Sequence, residues 1–67
     1  MEQALERIKM QLAQMDKENK WEDVDRDEVV DLLIFEEIKA ASYQFSYDKV
    51  GKVVEFLLEE GEKLKLN

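Results

Sequence analysis

The side chains able to do covalent or acid–base chemistry in this 67-residue chain are few, and their spacing keeps them apart. There is no histidine and no cysteine, which removes the commonest general base, the thiolate nucleophile and the usual zinc ligands. Ser42 and Ser46 are the only aliphatic hydroxyls, and neither has a base near it in the sequence to activate it. Glu36 and Glu37 would have to act as a carboxylate pair, but neighbours on a helix point about 100° apart and do not converge. The acidic run Asp23-Val24-Asp25-Arg26-Asp27-Glu28 lacks the turn glycine and the spacing of a calcium loop. Gly51 and Gly61 stand alone, so no glycine-rich loop is available to cradle phosphate. The expectation is a protein that is not an enzyme and uses no cofactor, metal or small-molecule substrate.

Binding chemistry remains, and charge indicates its kind. The net charge is −7, and it is unevenly spread. Residues 1–20 balance to zero, residues 21–45 carry −6 and residues 46–67 carry −1. An acidic segment repels nucleic-acid phosphates and steers basic proteins toward it. No run approaches the ~18 apolar residues of a membrane span, and Met1-Glu2-Gln3 begins no secretory signal. A cytoplasmic location is expected.

Three helices must position whatever binds. Met1, Leu5, Ile8, Leu12 and Met15 alternate by four and three, a heptad seam over residues 2–19. Asp25 reads as an N-cap, with Glu28 closing a capping box and Val24 and Val29 forming a hydrophobic staple; this opens a helix over 25–43. Ser46 reads as the next N-cap, with Phe45 and Val50 as a staple, and Tyr47, Val50, Val54, Leu57, Gly61 and Leu64, widened by Val53 and Leu58, form the stripe of a helix over 46–60. Gly61 is the expected C-cap. The tail Glu62–Asn67 is open to fraying, to continuing the helix or, on the alternation of Lys63-Leu64-Lys65-Leu66, to forming a rudimentary C-terminal strand.

The second helix has more apolar residues than one stripe needs. Val29, Val30, Leu32, Leu33, Ile34, Phe35, Ile38, Ala40 and Ala41 surround nearly its whole circumference, and two neighbouring helices cannot cover them all. Ile34, Phe35 and Ile38 are therefore candidate protein-binding residues. Phe56 joins them because it faces away from the Val50–Val54–Leu57 stripe. Trp21, in the connector, reads first as a cap on the end of the bundle and second as a contact anchor.

The stretch from Phe35 to Gly61 resembles the helix-turn-helix core of winged-helix domains. Glu36-Glu37-Ile38-Lys39-Ala40-Ala41 is similar to their second helix, and Phe45 to Val54 to the recognition helix, with Ser46 as its cap. Leu57-Leu58-Glu59-Glu60-Gly61 is similar to the exit toward the wing. The resemblance implies DNA contacts at Tyr47, Lys49 and Lys52, made by a dimer. Charge argues the other way, since two lysines beside a segment of −6 neutralise few phosphates.

The expected fold is all-α: one small three-helix domain spanning residues 1–67, its second and third helices paired as an antiparallel or helix-turn-helix unit. The expected function is that of a small acidic regulatory or adaptor protein of antitoxin, inhibitor or assembly-subunit type. It would bind a protein partner or a second copy of itself. The alternative is a dimeric helix-turn-helix transcriptional regulator.

Overall fold

The computed structural model describes residues 2–19 and 21–65. Three helices follow one another: α1 (Glu2–Glu18), α2 (Arg26–Gln44) and α3 (Tyr47–Leu64). Among the described residues there is no strand. The all-α, three-helix reading of the sequence is therefore what the chain adopts.

α1 buries Ala4, Leu5, Ile8 and Leu12, the apolar seam read from the sequence, with Met15 half-buried at its end. Met1, the first residue assigned to that seam, lies outside the described residues. The helix stops at Asn19, which adopts the left-handed conformation (φ 55°). Asparagine tolerates this region better than most residues and commonly ends helices there. Its N–H donates to the Asp16 carbonyl at 3.2 Å.

α2 starts at the cap expected for it. The Asp25 carboxylate accepts from the Asp27 N–H at 3.0 Å, satisfying one of the orphan donors of the first turn. The capping box is not completed: Glu28 is exposed and, among the described residues, returns no bond to Asp25. Asp25→Ala is expected to cost about 1 kcal/mol of stability, read from the midpoint of urea unfolding, whereas Glu28→Ala should shift it by less than half as much.

Phe45 and Ser46, both extended, link α2 to α3. Ser46 occupies the N-cap position by its backbone, its carbonyl accepting from Val50 N–H at 3.0 Å. Its hydroxyl makes no capping bond, contrary to expectation. Gly61 is likewise not a C-cap. α3 runs through it to Leu64, and Lys65 caps the helix by donating to the Gly61 carbonyl at 3.2 Å. Helix-favouring Glu59, Glu60, Glu62 and Lys63 carry the helix past a glycine that costs only about 1 kcal/mol. Lys63 and Leu64 are accordingly helical rather than the start of a strand, and Leu66 lies outside the described residues.

What Gly61 does is let two helices touch. A Cβ built there would overlap Ile34 Cδ1 and sit 3.5 Å from Ile34 Cγ1 and 3.9 Å from Val30 Cγ1. Farther along, Lys65 Nζ pairs with Asp31 at 2.8 Å, and Arg26 Nη1 donates to the Leu64 carbonyl at 2.7 Å. The start of α2 thus meets the end of α3, and the two form an antiparallel hairpin. A helix-turn-helix unit crosses at about 90–120° instead, so the winged-helix geometry is not what this sequence folds into. α1 runs antiparallel to α2, tied by Arg7–Glu37 near one end and Asp16–Arg26 at the other. The result is an up-down-up bundle of 38 × 20 × 17 Å. Its core is closed by Ile8, Val30 and Leu57, the largest fully enclosed side chains.

Candidate interaction surface

α2 carries the surface of most interest because Leu32 and Phe35, large and apolar, are among the residues it turns outward, beside Glu28, Asp31, Glu36 and Lys39. Val30, Ile34 and Ala41 face the core. At about 100° per residue, Leu32 and Phe35 then fall on the opposite side, one turn apart. They are 62% and 63% exposed. With Glu28 and Asp31 they line a shallow depression of about 480 Å³. Lys39 continues the strip toward the C-terminal end of the helix, and Tyr43 follows it, exposed. The strip therefore has an acidic turn at one end, two apolar side chains in the middle and a lysine beyond them.

The candidate residues are thus divided by the fold. Phe35 lies in the middle of the outer strip and Ile38, half-buried, at its edge. Ile34 is 3% exposed and packs under Gly61, so it supports the strip from inside the core. Phe56 is half-buried against the core, not exposed on a charged face. The buried side of α3 centres on Val53 and Leu57, and Phe56, one residue before Leu57, lies at its margin. Leu32 shares the strip without being among the candidates that the sequence suggests. The available signal was its position three residues before Phe35, which puts both on one face.

Trp21 is built into a corner. Its indole N–H donates to the Asp16 carboxylate, and the Arg26 guanidinium lies 5.8 Å from the ring centroid. Arg26 also pairs with Asp16 at 3.5 Å and reaches the end of α3 through the Leu64 carbonyl. One arginine and one tryptophan thereby hold the end of α1, the start of α2 and the end of α3 together. Cation–π contacts of this kind contribute roughly 0.5–1 kcal/mol near a surface.

The residues that would touch DNA are not drawn into one surface. Tyr47 is 94% exposed. Lys49 and Lys52 lie on another side of α3, where they border a shallow depression with Phe45 and Val53. Lys49 Nζ sits 6.0 Å from the Phe45 ring centroid. At helical spacing, Tyr47 points about 160° away from Lys49.

Other polar groups of the described residues are engaged in ties between and within the helices. Arg7 grips Glu37 with both arms, Nε to Oε2 at 2.8 Å and Nη2 to Oε1 at 2.6 Å. That hydrogen bonding raises the arginine above its ordinary value and commits Glu37 to a structural tie. Ser42 Oγ donates to the Lys39 carbonyl at 2.6 Å. Hydrogen bonding from Lys65 to Asp31 similarly holds the lysine above its usual range. Among the described residues no cluster of carboxylates is arranged to hold a metal ion, and no helix is long and apolar enough to cross a membrane.

No protein-family model matches this chain, and no curated protein or solved structure is significantly similar to it.

Proposed function

We propose that this chain is a small regulatory or adaptor-type protein that acts by binding another protein chain through the outer face of α2. The observation that carries this reading is the pair Leu32 and Phe35, both more than half exposed at the middle of the helix and bordered by carboxylates. Isolated apolar side chains on a surface are ordinary. Adjacent ones ringed by charge are the usual makeup of an interface, with an apolar centre that excludes water and a polar rim. The acidic turn of Glu28 and Asp31, with Glu22, Asp23 and Asp27 before it, would orient an approaching partner.

The test is capture on the immobilised chain. Wild type is expected to retain a protein that Phe35→Asp, matched for helicity, loses. Retention unchanged by Phe35→Asp, or none by a wild type that is monomeric in solution, would overturn the reading. DNA binding through Tyr47, Lys49 and Lys52 is the competing proposal. It predicts retardation of duplex DNA at low salt that Lys49→Glu with Lys52→Glu abolishes, and our reading expects no retardation.

A further inference from the structure

We infer that the occupant of this face is a second copy of the same chain, with the two α2 helices antiparallel and crossing at Phe35. The inference rests on the reading of that face as a protein-binding surface, and adds the identity of the partner. Two independent observations support it.

The first is area. A compact folded monomer of 8.0 kDa exposes about 4450 Å² by the scaling of surface with mass. This chain exposes 5214 Å². The bundle thus has ample surface for an interface of standard size, which takes ~800 Å² from each partner.

The second is the symmetry of the strip. A two-fold axis through Phe35 brings together residues equally far from it on either side. Leu32 then meets Ile38 of the second copy, and Phe35 meets its own equivalent. Lys39 comes to the acidic turn of Glu28 and Asp31 of the second copy, and the reverse contact forms at the other end. A self-complementary patch of this kind is what an isologous interface requires. Lys39 suits the role because it makes no ion pair with the described residues of its own chain. A uniformly basic partner would complement Glu28 and Asp31 but be repelled by Lys39. The two-signed strip therefore favours a partner with the same arrangement reversed.

Light scattering on the eluting full chain, with sedimentation across a concentration series, tests this directly. Wild type is expected at twice 8.0 kDa. Phe35→Asp is expected to weaken association at least about thirtyfold, the loss typical of a central anchor. Leu32→Lys gives a second variant on the same face, and both side chains point to solvent, so helicity should survive. Lys39→Glu and Glu28→Lys should each weaken self-association about tenfold, since each places like charges together twice. Mixed in equal amounts, these two variants should associate more tightly than either does alone, because one end of the interface keeps its wild-type charges and the other pairs the two introduced charges, which are opposite.

A wild-type monomer throughout the series would overturn the inference, as would dimers indifferent to both Phe35→Asp and Leu32→Lys, or failure of the charge-swapped pair to associate. A monomer whose capture of another protein still depends on Phe35 would sink the self-association and leave the binding surface standing. A monomer that captures nothing would sink both.

Discussion

Replacing Leu57 with alanine is expected to leave a substantial fraction of molecules unfolded at room temperature. Leu57 is fully enclosed, and with Ile8 and Val30 it joins all three helices in one small core. Truncating a buried leucine costs about 2–5 kcal/mol, part lost transfer energy and part cavity. A single core in a chain of this length supplies only about 3–5 kcal/mol in total, so one truncation consumes most of it. Urea unfolding followed by far-ultraviolet circular dichroism measures the loss. Leu58→Ala, one residue along and half exposed, should change stability by less than about 1 kcal/mol. Equal losses at the two positions would contradict the orientation of α3. Both should be compared at one protein concentration, because self-association adds concentration-dependent stability.

The second large effect is expected at Gly61. Introducing leucine there forces a side chain into the contact between α2 and α3, where Ile34 already occupies the space a Cβ would take. Overpacking costs typically 1–3 kcal/mol. Replacing a helical glycine returns about 1 kcal/mol of propensity, so Gly61→Leu should lose about 2 kcal/mol net when overpacking is near the top of its range. Gly51→Ala separates the two effects, since nothing lies within 4 Å of a Cβ at Gly51. It should gain close to the full 1 kcal/mol of propensity. Ile34→Val removes the Cδ1 atom that collides. Gly61→Ala should therefore stabilise the Ile34→Val background and be close to neutral in the wild type, a coupling of roughly 1 kcal/mol in a double-mutant cycle. Gains at Gly61 as large as at Gly51 in both backgrounds would show that the helices do not touch there.

Gly61 also shows where sequence reasoning reached its limit. A lone glycine near the end of an apolar stripe has two physical uses, as a left-handed terminus or as a site of close approach. Local sequence favours the first, and only the neighbour across the interface selects the second. Ser46 is similar: its place before a helix was legible, but whether its hydroxyl turns back to an N–H depends on a rotamer that spacing does not set. On a stripe of Val50, Val54 and Leu57, with Val53 and Leu58 at its margins, Phe56 faces outward. The packing of α1 and α2 shifts the buried side of α3 toward Val53, and with it Phe56 becomes half-buried.

Other features were determined by sequence alone, because they depend on local periodicity and caps. The three helices, the Asp25 cap, the Leu5–Ile8–Leu12 seam and the excess of apolar residues on the second helix all follow from spacings of three, four and seven. Periodicity states that a helix has a side to bury, but not which of two apolar sides its neighbours will take. On α2 both were available. Tertiary packing gave Val30 and Ile34 to the core and left Leu32 and Phe35 outside, because Gly61 brings α3 onto the Ile34 side. The resemblance to a helix-turn-helix failed for the same reason. Two helices and a short link are local facts, whereas the crossing angle is set by the side chains along the whole contact, and here the close approach at Gly61 and the Asp31–Lys65 pair align the helices side by side.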